Sequence, residues 1–177
     1  ILTASPINVL VSGASEDAGA GGFGFFEFAV VGIPLMLGTV AIGALLAGCR
    51  KFYGYPITHS TEGHELMARP LPDPGGASGQ AVSEVATIAH LYGAGGAGVK
   101  AMTFTSSPGF SLMLEGMSYL IGAELPAVVF NVMRGGPGLG NIAPEQSDIK
   151  LACRGLGHGQ THAIVLAPAS PQEMLDL

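Results

Sequence analysis

PAVVFNVM, Pro126–Met133, runs directly into RGGPGLGNIAP, Arg134–Pro144. A nearly continuous apolar run that ends on a charged, glycine-rich loop fits a strand covered on both faces. A strand with one wet face would alternate instead. Upstream, VKAMTFT (Val99–Thr105) predicts a second strand, and SPGFSLMLEGMSYLIGAE (Ser107–Glu124) a turn and a helix. Further back, SEVATIAHLYGAGGAG (Ser83–Gly98) predicts a glycine-rich helix and RPLPDPGGASG (Arg69–Gly79) a loop. FYGYPI (Phe52–Ile57) predicts a short buried strand. It turns through ITHSTEGHEL into a helix with Ser60 or Thr61 as N-cap. AIGALLAGCRKF (Ala41–Phe52) predicts a helix ending in basic residues, which suit the helix dipole. Downstream, EQSDIKLACRG predicts a helix and HAIVLAP a strand, and SPQEMLDL opens a helix with Ser170 as N-cap and Pro171 in its first turn. This alternation predicts an α/β domain with a parallel, doubly wound sheet. Such sheets bind ligands at the carboxyl ends of their strands. Three polar loops fall there: Thr58–Thr61, Thr105–Gly109 and Arg134–Asn141.

The composition narrows the function classes. Hydrophobic residues are 48% of the chain, charged residues 11%, and 28 residues are glycine. That fits a buried-sheet domain or a membrane fragment and excludes a disordered chain. A net charge of −6 with 7 Lys+Arg leaves no basic run for a phosphate backbone, so no nucleic acid is expected as partner. The 2 cysteines, Cys49 and Cys153, have no metal-ligand or Fe–S spacing and point to a reducing cytoplasm. The chain opens Ile-Leu-Thr with no charged n-region or cleavage site, so a secretory signal is not expected and the start suggests a fragment.

Residues 1–35 form an apolar, glycine-rich segment distinct from the rest. From Phe28 to Gly48 no side chain is charged, which is about the length of a membrane-spanning helix. Gly32, Pro34, Gly38 and Gly43 interrupt the run, and Arg50 and Lys51 follow it. Two readings stand: a spanning helix, or a buried segment of the α/β core. A membrane is expected as partner only if residues 1–48 insert.

Some motifs are decoys. GAGGAG (Gly93–Gly98) satisfies G-x-G-x-x-G but follows a helix and precedes a strand, the wrong order for a dinucleotide fingerprint. His59/His64 and His158/His162 are in no metal-protease frame. Cys153 has no partner base and is expected in the core.

The runs AGCRKFYGYPIT, MTFTSSPGFSLMLEGMSYLIGAELPAVVFNVMRGGPGLGNIAPEQSD and IVLAPASPQEM carry a resemblance. Residues 36–177 resemble the α subunit of a thiamine-diphosphate-dependent 2-oxoacid:ferredoxin oxidoreductase, of the branched-chain (3-methyl-2-oxobutanoate) type. The resemblance implies the pyrimidine-binding domain of a thiamine enzyme. It also implies a second α-subunit domain, which would follow Leu177 and is expected to be absent here. The implied reaction is oxidative decarboxylation of a 2-oxoacid with coenzyme A to acyl-CoA and CO₂, reducing ferredoxin. Thiamine diphosphate would be shared with a β subunit that binds its diphosphate. Mg²⁺ and Fe–S clusters would lie on partner subunits, and the isolated chain would be inactive.

By the same resemblance, Glu84 in QAVSEVA matches the glutamate that holds a proton on the aminopyrimidine N1′. Read alone, it is a first-turn acid that suits the helix dipole. The acid usual two positions earlier is Val82 here. Thr58 matches the threonine aimed at substrate carboxylate and cofactor. The proline usual after it is His59, which leaves the loop geometry open. Arg134 matches the substrate-binding arginine, whose guanidinium can clamp a carboxylate. Ser106 and Ser107, in the TSSPGF turn, are candidate cofactor ligands; read alone they are turn residues. Separately, Thr3–Val40 resembles a stretch of the divalent-anion:sodium symporters, whose T-x-x-N turn would map to Thr3, Ser5 and Asn8. A lone helix forms no transport path.

Overall fold

A computed structural model describes residues 27–73 and 75–177, with side chains from Leu35 onward. Thr3, Ser5 and Asn8 of the symporter-like stretch lie outside the described residues. The elements are α1 (Glu27–Leu46), β1 (Lys51–Gly54), α2 (Thr61–Ala68), β2 (Ala77–Gln80), α3 (Glu84–Gly96), β3 (Ala101–Ser106), α4 (Ser107–Gly122), β4 (Val128–Val132), α5 (Asp148–Arg154) and α6 (Pro171–Asp176). The described residues fall into two compact units, 27–43 with 167–177, and 44–166.

In the first unit the uncharged run is the body of α1. Among the described residues no helix is long and apolar enough to cross a membrane. At α6, the Ser170 hydroxyl accepts from Glu173 N at 3.1 Å, and the Glu173 carboxylate accepts from Ala169 N at 2.7 Å. This reciprocal cap starts the helix where the sequence predicts it.

The second unit holds a four-stranded sheet in the order β2-β1-β3-β4, every pair parallel. Alternation sends Phe52, Phe104 and Phe130 to one face, where α2 brings His64 to 5.0 Å from the Phe52 ring. Tyr53, Ala101 and Val129 take the other face. There α3 and α4 add Ile88, Leu91, Met113 and Leu120 to form the core. Helices thus cover both faces, as the near-continuous apolar strands require.

α3 and α4 approach closely at Gly116, where a Cβ would stand 2.3 Å from Ile88 Cγ2 and 2.6 Å from its Cγ1. Ile88 is buried and β-branched, so its single helix rotamer cannot swing away. Gly116→Ala is expected to lower unfolding free energy by about 1–3 kcal/mol through overpacking. The gain of ~1 kcal/mol in helix propensity offsets only part of it. Denaturant unfolding measures the difference; a more stable variant would mean that the two helices are not this close.

The structure corrects four expectations. α1 ends at Leu46, before the basic pair, because Gly48 takes a left-handed φ of 85° and Cys49 N bonds back to Ala44 O at 2.8 Å. Lys51 therefore opens β1, while Arg50 still donates to Leu45 O and Cys49 O. β2 begins within the stretch expected as loop and runs one residue past it: ASGQ has no strand propensity, and its backbone pairing with β1 decides. HAIVLAP is not a strand: it has no ladder partner among the described residues, and Ile164 is 91% exposed. Cys153 is exposed rather than core, since α5 buries no residue.

Candidate active site

Four parallel strands deliver their carboxyl ends to one rim. Thr58 follows β1, Glu84 follows β2, Ser106 and Ser107 stand at the end of β3, and Arg134 follows β4.

Glu84 is the first residue of α3. The N-cap Ser83 is extended and its hydroxyl accepts from Ala86 N at 3.1 Å, which sets the direction of the helix. Glu84 is only 5% exposed. It lies against the first turn of α4, where a Cβ on Gly109 would come within 2.9 Å of Glu84 Oε1 and 2.3 Å of Thr105 Oγ1. The missing side chain at Gly109 makes the space for the acid. Among the described residues no hydrogen bond reaches the Glu84 carboxylate; the local bonds belong to Ser83, Ala86 and Thr87. Its oxygens are not among the fully buried atoms without a partner, so the carboxylate keeps contact with solvent and is open to a ligand.

Arg134 is 4% exposed, and its backbone is held on both sides by one hydroxyl. Ser107 Oγ accepts from Arg134 N at 3.0 Å and lies 3.1 Å from Arg134 O. The same Oγ donates to Asp148 Oδ2 at the start of α5, and Asn131 Nδ2 of β4 donates to that oxygen at 2.8 Å. The guanidinium donates through Nη2 to Leu139 O at 3.3 Å, while its buried Nε has no partner among the described residues. The loop is closed by Gly135 N to Ala143 O at 2.8 Å and Asn141 N to Gly135 O at 3.0 Å. Gly140 makes that closure possible: its φ is 66°, and a Cβ would fall 1.8 Å from Gly135 O.

Ser106 Oγ donates to Val132 O at 2.9 Å. Both candidate serine hydroxyls are therefore engaged by protein atoms, and a ligand at this turn would meet backbone N–H groups. Thr58 is exposed on its loop. Beside it, His59 has a φ of 73°, a value closed to proline, and its Nε2 lies 3.0 Å from Ile142 O. That contact ties the Thr58 loop to the Arg134 loop. The structure thus joins Glu84 to the α4 turn, that turn to Arg134, and the Arg134 loop to the Thr58 loop. It records no direct hydrogen bond among Thr58, Glu84 and Arg134 themselves.

Sequence reasoning missed Asn131, Gly109 and Asp148. Asn131 had a signal, as the sole polar side chain inside PAVVFNVM. Asp148 had none, since in EQSDIK it reads as an ordinary first-turn acid.

Two other groups are tuned by burial. Cys49 is buried and its thiol is pushed up by desolvation, which makes it a poor nucleophile. His64 is held below the ordinary imidazole value of 6.5 by burial, against an opposing contact with Phe104 O at 3.3 Å. Its neutral form is therefore the folded form. Above 6.5 the folded and unfolded chains are both neutral there and stability is full. As pH falls below 6.5 the unfolded chain takes up the proton first, and stability declines until the folded His64 titrates. Melting temperatures between pH 7.5 and 5 are expected to fall less steeply in His64→Leu than in the parent; equal slopes would remove His64 from the acid response.

Residues 42–177 match the family described as pyruvate flavodoxin/ferredoxin oxidoreductase, thiamine diP-binding. The ketoisovalerate oxidoreductase subunit VorB of Methanothermobacter thermautotrophicus is 53% identical over 138 residues, covering 78% of this chain and 39% of that protein. The 2-oxoglutarate synthase subunit KorA of Methanocaldococcus jannaschii is 48% identical over 136 residues, covering 77% and 37%. The chain thus spans about two-fifths of the length of these relatives. Among solved structures, 2-oxoglutarate:ferredoxin oxidoreductase from Magnetococcus marinus, with 2-oxoglutarate, coenzyme A and succinyl-CoA bound, superposes with a TM-score of 0.75. It is 40% identical and is covered to 24%, over 79% of this chain. With a parallel sheet, a buried acid at one strand exit and an arginine at another, the chain belongs to the pyruvate flavodoxin/ferredoxin oxidoreductase, thiamine diP-binding family.

Proposed function

We propose that residues 36–177 form the pyrimidine-binding half of a thiamine diphosphate site in a branched-chain 2-oxoacid:ferredoxin oxidoreductase. The observation that carries this is Glu84: a largely buried residue whose carboxylate keeps solvent contact and, among the described residues, has no hydrogen-bond partner, in a recess that Gly109 keeps open. A ring nitrogen that shares a proton would satisfy it, so the residues present fit the aminopyrimidine. When bound, thiamine diphosphate supplies the electron sink for decarboxylation. Glu84 would hold the proton at the ring nitrogen N1′. Arg134 would offer its guanidinium to the substrate carboxylate. Thr58, on the exposed loop tied through His59, would donate its hydroxyl from the opposite flank. Ser106 and Ser107 would hold the α4 turn in place, and its backbone N–H groups would face the cofactor.

We take a branched-chain monocarboxylate as the substrate, with Arg134 as the cation for its one carboxylate. The 53% identity to a ketoisovalerate oxidoreductase subunit points the same way.

The diphosphate, Mg²⁺, Fe–S clusters and the contact with ferredoxin would belong to partner subunits in the cytoplasm, with coenzyme A as acyl acceptor. The chain alone is therefore expected to reduce no dye when mixed with 3-methyl-2-oxobutanoate, coenzyme A and thiamine diphosphate. The chain assembled with a diphosphate-binding subunit and an Fe–S subunit is expected to do so. Turnover by the isolated chain would overturn the half-site; an assembled complex inert toward every 2-oxoacid would overturn the reaction.

A further inference from the structure

We infer that Asp148 is a positioning residue for Arg134, acting through Ser107 and Asn131; this deepens the proposed substrate site and rests on it. Three elements meet at one carboxylate oxygen. Ser107 at the start of α4 and Asn131 in β4 both donate to Asp148 Oδ2. Ser107 Oγ has one proton and two acceptors in reach, Arg134 O and Asp148. The carboxylate takes it, because charge-assisted hydrogen bonds are about twice as strong as neutral ones. The hydroxyl lone pairs are then turned toward Arg134 N, which donates to them at 3.0 Å.

Asp148 thus selects the orientation of the hydroxyl that locates the Arg134 backbone. The Arg134 side chain is buried, and among the described residues its one hydrogen bond is to Leu139 O in its own loop, with Nε unpartnered. Packing confines the guanidinium, so a shift of the backbone that carries it shifts the group with it. Asn131 depends on the same carboxylate. Its Oδ1 is buried and has no partner among the described residues, so without Asp148 neither end of that amide has a hydrogen bond. Removing Asp148 frees the Ser107 proton for Arg134 O and sets an unsatisfied amide three residues before the arginine.

The test uses the assembled complex carrying Asp148→Ala, Asp148→Asn, Arg134→Ala or Arg134→Ala with Asp148→Ala. The readouts are KM and kcat for 3-methyl-2-oxobutanoate, and the Kd of 3-methylbutanoate, a carboxylate that lacks the reacting keto group. Asp148→Ala is expected to raise KM and this Kd about tenfold, the equivalent of losing about one charge-assisted hydrogen bond, with kcat changed far less. Asp148→Asn keeps an acceptor for Ser107 and the size of the side chain, so it is expected to rescue most of the loss. In the Arg134→Ala background, Asp148→Ala is expected to add nothing. If Arg134→Ala raises KM and Asp148→Ala does not, the positioning role is overturned and the substrate site stands. If Asp148→Ala costs as much with Arg134 absent, Asp148 acts elsewhere and the inference also fails. If Arg134→Ala leaves both constants unchanged, the substrate site itself fails, and the inference with it.

Discussion

Glu84→Gln is expected to lower turnover of the assembled complex by about 10²–10⁴-fold, the range for losing a positioned proton-holding group. Folding should barely change. The substitution is nearly isosteric, so the recess beside Gly109 stays filled. Gln is neutral, and a neutral amide costs less than a carboxylate at a largely buried position. It also forgoes the favourable first-turn charge, worth about 0.3–1 kcal/mol. These two changes oppose each other, and unfolding free energy is expected to move by less than about 1 kcal/mol. The combination separates the two readings of the residue. A first-turn acid with no further role would leave turnover intact and lower only stability. The measurement is steady-state dye reduction together with thermal unfolding of the same preparation. Full activity in Glu84→Gln would remove the acid from the site.

Arg134→Ala is the second large effect. A charged hydrogen-bond partner for a carboxylate contributes about 1.5–3 kcal/mol, so affinity for the 2-oxoacid should fall roughly 10- to 150-fold. Part of the folded-state balance moves the other way. The bond from Nη2 to Leu139 O is lost, but the orphaned Nε is removed with it. The loop keeps its own closure through Gly135, Asn141 and Ala143. Arg134→Lys keeps the charge but not the planar fork and should recover only part of the affinity. The ratio of KM to kcat effects decides: a site contact to the carboxylate raises KM, whereas a loop that has come apart lowers both activity and stability.

The fold was legible where burial is continuous and hidden where pairing alone makes the element. PAVVFNVM announced β4 because both faces of a parallel strand must be apolar. ASGQ could not announce β2, which is strand only because Lys51–Gly54 offers it a ladder. HAIVLAP has the composition of a strand and no partner to make it one among the described residues. In the site, the exits that carry Thr58 and Arg134 followed from the alternation of elements, whereas Glu84, beyond the unannounced β2, was picked out by the resemblance alone. The recess behind Glu84 did not follow from the alternation, because the approach of α4 at Gly109 is a tertiary fact with no local pattern. Nor did the engagement of Ser106 and Ser107, whose hydroxyls turn inward to Val132, Arg134 and Asp148.

The hydroxyl bond from Ser107 to Arg134, just past the last rung of the β3–β4 pairing, gives the rim two unlike flanks. On one, the cation moves only if the sheet moves. On the other, Thr58 rides an exposed turn that is closed on Ile57 O by Ser60 and Thr61 and joined to the Arg134 loop at His59, and such exposed segments open at less cost than a sheet. A ligand would thus meet a fixed socket for its head and a yielding wall for its tail. Tolerance for acids of different bulk would come from the wall, without disturbing the grip on the part they share.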